Sequence, residues 1–186
     1  MAGRAPTATT VNPISARDRF AVVAARFNEA ISEKLLDGAL AVFATHGVSA
    51  DAVDVHRVPG SFELPQAACA LARTGRYAGI VCVGVVIKGE TPHFDFVAGV
   101  AAHGISRAAL DTGVPMGFGV ITSLTEEQAW ARAGGAVGNR GDEAARAVLE
   151  MVAWRRGIRA SRRGAAGAGR SEVGRRRRGG GARRGA

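Results

Sequence analysis

Apolar residues along this chain follow two alternating rhythms. Four short stretches, at 20–25, 53–58, 79–87 and 115–122, are strand-like. The longest reads Gly79-Ile80-Val81-Cys82-Val83-Gly84-Val85-Val86-Ile87. It is rich in β-branched residues and has no polar alternation, the pattern of a strand buried on both faces. Between these stretches the apolar positions recur at helical spacing. Ile31, Leu35, Leu36, Ala39, Val42 and Phe43 form one such face. Phe96, Val97, Val100, Ala101, Ile105 and Ala108 form a second, and Ala144, Ala147, Val148, Met151 and Val152 a third.

Local signals mark where the helices begin and end. Asn28 is an expected N-cap for a helix reaching about Thr45, which His46-Gly47 closes. Ser61 is an expected cap for a helix to about Arg73, with Glu63 and Pro65 in its first turn. Thr91-Pro92 reads as a third start, a hydroxyl cap with proline at the first helical position, and Thr112-Gly113 as its end. Thr125-Glu126-Glu127-Gln128 has the form of a capping box, opening a helix through Arg132. The glycines at 134, 135 and 138 interrupt it, and a last helix runs from Asn139 to about Arg156.

The order is therefore β-α-β-α-β-α-β-α-α, with no internal repeat. Strand–helix alternation with continuous apolar strands implies a parallel sheet covered on both faces. Right-handed crossovers then favour a flavodoxin-like three-layer α/β/α sandwich around a four-stranded parallel sheet.

Composition divides the chain further. Its 186 residues suit one domain, and with 47% hydrophobic but only 5% aromatic residues the core must be aliphatic. The net charge of +9 is unevenly placed. Residues 155–186 hold twelve arginines and one acid, Glu172, whereas the preceding 154 residues hold 13 basic and 15 acidic side chains. Three parts are expected: a polar arm at 1–17 in which 7–11 suit a short strand, a folded domain at 18–156, and a disordered Arg/Gly-rich tail at 157–186. The tail predicts nonspecific, salt-sensitive attraction to nucleic acid, although it lacks interleaved aromatics for base stacking. Cys69 and Cys82 have no CxxC spacing and read as buried thiols of a reducing cytoplasm. No apolar run is long enough for a membrane span, and no apolar secretory segment opens the sequence.

Ligands of an open parallel sheet bind outside the carboxyl ends of its strands. Those ends here are Arg26-Phe27-Asn28, Gly60-Ser61-Phe62-Glu63, Lys88 to His93, and Phe118 to Ser123. Phe27, Phe62 and Phe118 suit stacking on a flat heterocycle, while Phe27 and Phe62 equally suit staples for their helices. Glu63 either complements a helix dipole or accepts hydrogen bonds from a donor-rich ring. The Lys88-Gly89-Glu90-Thr91 loop leads into a helix N-terminus, a natural anion site. His93 beside it suits general acid–base work near neutral pH. The charge of Glu90 fits an anion site only if the carboxylate points away. Arg132 and Arg140 are either dipole partners at helix ends or phosphate forks. His46, His56 and His103 have no partner pattern and read as surface or satisfied structural residues. Metal-ligand spacing, GxxxxGK[ST] and GxGxxG are all absent from the sequence.

Together these segments resemble the lumazine synthase family from about Phe20 to Met151. The resemblance is carried by Arg26-Phe27-Asn28, Pro59-Gly60-Ser61-Phe62-Glu63-Leu64-Pro65, the stretch 84–96, Gly117-Phe118-Gly119-Val120-Ile121-Thr122, and Glu126-Glu127-Gln128-Ala129 with Arg132-Ala133-Gly134 and Gly138-Asn139-Arg140-Gly141. It implies a condensation of 5-amino-6-(D-ribitylamino)uracil with 3,4-dihydroxy-2-butanone 4-phosphate, the penultimate step of riboflavin biosynthesis, without metal or cofactor. Phe27 then matches the residue stacked on the pyrimidine, and Ser61, Phe62 and Glu63 the segment holding uracil and ribityl chain. Val85, Val86 and Ile87 match backbone contacts to the ring, Glu90 and Thr91 the phosphate loop, and His93 the proton-transfer residue. Phe118 and Arg132 match residues supplied by the neighbouring subunit. Arg140 stands where the family usually has lysine, and the two cations are not interchangeable at a phosphate. The resemblance further implies a homo-oligomer, a pentamer or a hollow shell of twelve pentamers, with the arm paired to a neighbour's sheet. It leaves association with riboflavin synthase open. The alternatives are a paralogue with a shifted substrate and a flavin-binding or storage shell.

Overall fold

The computed structural model describes residues 14–158. The strand expected at 7–11 and nearly all of the arginine-rich tail lie outside the described residues. The elements in order are β1 (Phe20–Ala25), α1 (Glu29–Thr45), β2 (Val53–Val58), α2 (Leu64–Arg73), β3 (Gly79–Ile87), α3 (His93–Thr112), β4 (Met116–Ser123), α4 (Glu126–Ala131), β5 (Ala133–Gly135) and β6 (Gly138–Asn139). A further helix, α5, spans 140–158.

Strands β1 to β4 form one parallel sheet in the order β2-β1-β3-β4. All six residues of β1 are buried, as are eight of the nine in β3, so the two central strands have no solvent face. Their side chains alternate between two cores. Phe20, Val22, Ala24, Val81 and Val83 meet Leu35, Val42, Phe43, Val148 and Leu149 of α1 and α5. Ala21, Val23, Ile80 and Cys82 meet Leu64, Ala68 and Ile105 of α2 and α3. This is the expected three-layer α/β/α sandwich with a four-stranded parallel sheet, a flavodoxin-like arrangement.

Several boundary signals act differently from their sequence reading. Asn28 precedes α1 but adopts a left-handed conformation (φ 57°) and makes no side-chain cap. Its carbonyl accepts from the N–H groups of Ile31 and Ser32 instead, both at 3.1 Å. Ser61 and Thr91 cap nothing, because α2 and α3 start later, after Glu63 and Pro92. Thr125 does cap α4: its Oγ1 accepts from the Gln128 N–H at 3.3 Å, while Gln128 Oε1 accepts from the Leu124 N–H at 3.0 Å. The glycine-rich interruption is a small antiparallel hairpin, β5–β6.

Two helical faces are wider than the core they serve. Phe96 and Val100 of α3 are exposed although Ala101, Ile105 and Ala108 are buried. On α5, Ala145 and Leu149 join Ala144, Val148 and Val152 in the core, while Ala147 and Met151 are exposed. The last turns of α5 reach the amino edge of the sheet. There Arg156 pairs with Asp18, and a Val152 methyl lies 3.2 Å from where a side chain at Gly79 would begin.

Candidate active site

The carboxyl edge of the sheet is assembled from three strand ends. After β1 and β2 the chains stay zipped, with Arg26 N–H donating to Val58 O at 2.8 Å and Phe27 N–H to Pro59 O at 3.0 Å. The left-handed turn at Asn28 lets α1 begin two residues after Phe27, whose ring stays 69% exposed. Phe62 is 54% exposed. Rings this open do not staple helices. Glu63 is turned back on its own loop, where Oε2 accepts from the Gly60 N–H at 2.9 Å. Its second oxygen remains available to a donor.

These groups face one cavity of about 450 Å³. Phe27, Ser61, Phe62 and Glu63 form one side, and Val85, Val86 and Ile87 of β3 form the back. Gly89, Thr91 and His93 close it at the start of α3. The volume is that of a small-molecule site, and the wall is apolar with few polar groups, as such sites are. Every helix leaves its first N–H groups without intrahelical partners, so the start of α3 sets anion-attracting donors beside Thr91 and His93.

Ser61 is the anomaly. It is 4% exposed, and its Oγ is buried without a hydrogen-bond partner among the described residues. A side chain at Gly84 would begin 2.7 Å from that oxygen, so the hydroxyl points into the protein beneath β3. Ser61 lines the cavity with its hydroxyl shielded from solvent.

Four of the expected residues do not line this cavity. Glu90 is exposed beside it. Phe118 is the third residue of β4, in register with Cys82, whereas β4 ends at Ser123 opposite Ile87. It therefore sits well before the carboxyl edge, a correction to its expected place, and is 44% exposed on the outer strand. Arg132 ends α4, its Nη1 donating to Gln128 O at 2.9 Å as a dipole partner would. Arg140 pairs with Glu143 at the start of α5.

The cavity also includes Pro59, Gly60, Phe94 and Val97, which were not expected to line it. Val97 lies one helical turn after His93, so the spacing already placed both on one face. Two other histidines have structural surroundings, His46 Nδ1 lying 2.8 Å from Val42 O and His56 Nε2 3.4 Å from Tyr77 Oη, while His103 is exposed. Cys69 and Cys82 are both free, and only Cys82 is fully buried; desolvation pushes its thiol up to about 12. Among the described residues, no three His, Cys, Asp or Glu side chains cluster to hold a metal ion.

Two open rings, a carboxylate with a spare oxygen, and an imidazole beside a helix N-terminus thus converge on one cavity. The family model described as 6,7-dimethyl-8-ribityllumazine synthase matches residues 17–156, and the chain belongs to that family. A protein of that name from Nitratidesulfovibrio vulgaris strain Miyazaki F is 51% identical over 134 residues, covering 72% of this chain and 86% of its own. Another, from Chlorobium luteolum, is 49% identical over 140 residues, covering 75% and 90%. A solved Corynebacterium diphtheriae oxidoreductase overlaps 74% of this chain and 98% of its own, at 14% identity and a TM-score of 0.40. A likeness that loose says nothing about activity.

Proposed function

We propose that this chain condenses 5-amino-6-(D-ribitylamino)uracil with 3,4-dihydroxy-2-butanone 4-phosphate to give 6,7-dimethyl-8-ribityllumazine, phosphate and water. The observation that carries this reading is the convergence of Phe27, Phe62, Glu63, Thr91 and His93 on one cavity in a chain of this family. The uracil ring stacks on Phe27, and Glu63 takes hydrogen bonds from the ribityl side of the substrate. Backbone groups of Val85, Val86 and Ile87 meet the ring edge. The phosphate rests against the Gly89–Thr91 loop and the free N–H groups of α3.

The chemistry asks little of the protein beyond placement and protons. An amine of the uracil adds to the ketone carbonyl, a C–N bond forms, and the carbonyl oxygen leaves as water. The C–O bond to phosphate then breaks, the resulting enol becomes a second carbonyl, and the second nitrogen closes the ring on it with loss of a second water. His93 suits the proton transfers because imidazole titrates near neutral pH. Arg132 and the α3 N-terminus stabilise the departing phosphate. Holding two substrates in register supplies much of the acceleration.

One chain supplies only part of this site. Phe118 lies on an edge strand and Arg132 on the surface, so both are free to complete the cavity of an adjacent copy, with Arg140 as a further cation. That fits a homo-oligomer with shared sites, a pentamer or, given the short 134–141 loop, a sixty-subunit shell. The free thiols fit a reducing cytoplasm, and no described helix is long and apolar enough to cross a membrane.

The test is to mix purified protein with both substrates and follow lumazine fluorescence. A flavin store would bind riboflavin and form no product, which would overturn the reading. Light scattering separates a pentamer from a shell.

A further inference from the structure

Asn139 stands at a junction of three elements. It ends β6 opposite Ala133, and the next residue begins α5. Its Oδ1 accepts from the N–H groups of Gly141 and Asp142, at 2.8 and 3.2 Å, and so caps α5. Its Nδ2 donates to Lys34 O of α1 at 2.7 Å, a bond spanning 105 residues of sequence. One side chain therefore caps a helix and ties the hairpin to another helix.

The surroundings are shaped for that side chain. A Cβ at Gly38 of α1 would begin 2.5 Å from three Asn139 atoms, and one at Gly141 would lie 1.9 Å from Leu35 O. Two glycines thus permit the contact between α1 and the start of α5. Arg132 is bound to the same junction, since the Arg140 N–H donates to Arg132 O at 2.9 Å across the open end of the hairpin.

We propose that Asn139 is a positioning residue for Arg132. The amide holds the hairpin against α1, and the hairpin fixes the backbone from which the Arg132 guanidinium reaches the phosphate of a neighbouring copy's substrate. The inference rests on the phosphate role of Arg132. Arg132 anchors its own guanidinium to Gln128 O within α4, and Ala129 and Ala133 bury the unit against the core. The amide to Lys34 O adds the directional tie that sets the hairpin's orientation on α1.

The experiment separates capping from positioning. Asn139→Ser keeps a good N-cap acceptor but loses the donor that reaches α1. It should raise the KM for the butanone phosphate about tenfold, the scale for weakening one hydrogen bond to a charged group. The KM for the uracil substrate should stay within about twofold, and the melting temperature close to the parent's. In an Arg132→Ala background the same substitution should change the phosphate KM less than twofold, because interacting residues are not additive. Full multiplication of the two effects overturns the inference, as does a lower kcat with both KM values unchanged. If Arg132→Ala alone leaves the phosphate KM unchanged, the phosphate role of Arg132 fails first, a distinguishable result.

Discussion

Truncating Ser61 to alanine should make this protein more stable. The Ser61 Oγ is buried beneath β3 with no hydrogen-bond partner among the described residues. An unsatisfied buried hydroxyl costs about 1–3 kcal/mol. Removing one oxygen leaves a void of roughly 20 Å³, which at about 24 cal/mol per Å³ takes back ~0.5 kcal/mol. The net gain should be about 1 kcal/mol, or ~2–4 °C in melting temperature for a chain of this size. Calorimetry at matched protomer concentration reads it, since assembly makes melting temperature concentration-dependent. The uracil-substrate KM should stay within about twofold, because the hydroxyl is buried beneath β3. A lower melting temperature would show that Oγ finds a partner, and a raised KM that the partner is the substrate.

Other outcomes follow from the site and its surroundings. His93→Ala should slow turnover by about 10²-fold or less, because placement of the substrates survives; a far larger single-turnover loss refutes that division of labour. Arg132→Ala should raise the KM for the phosphate substrate, and a change confined to the uracil substrate refutes the assignment. With the Cys82 thiol pushed up to about 12 by burial, at most one thiol per folded chain should react with a disulfide reagent at about pH 8, and two after denaturation. Two reactive thiols in the folded protein contradict the burial. Tyr77 donates to Asp54 at 2.7 Å and, with Arg19 and Arg76, holds that carboxyl below its ordinary value. A depressed carboxyl stabilises above its unfolded pKa of about 4 and loses that contribution as pH falls. The stability deficit of Tyr77→Phe should therefore be present at neutral pH and shrink under acid; a deficit that widens under acid refutes the linkage.

The central strands β1 and β3 were legible because continuous apolar runs have one comfortable home, the middle of a covered sheet. Phe27, Phe62, Glu63 and His93 were legible as site residues because strand ends and helix starts are marked by local chemistry. The caps were less so. Ser61 and Thr91 have the right side chains, but packing begins each helix later, and propensity yields to that. Phe118 was misplaced because a run's end can be read from sequence to within a few residues, whereas its register against β3 cannot. The hairpin hid behind glycines that read as interruption. Asn139 was legible as the start of the last helix but not as a tie to α1, since its partner, Lys34, is brought near only by the fold. The α3 and α5 faces looked like core because Phe96 and Met151 are apolar, and periodicity alone does not say whether an apolar face meets its own chain.

The cavity and the end of α5 lie at opposite edges of the sheet, separated by the length of β3, nine residues or about 30 Å. That separation keeps changes at the end of α5 away from the cavity of the same chain. Residue 158, the last described, lies at the edge away from the chemistry. The same property makes that end a suitable attachment point for a fused cargo.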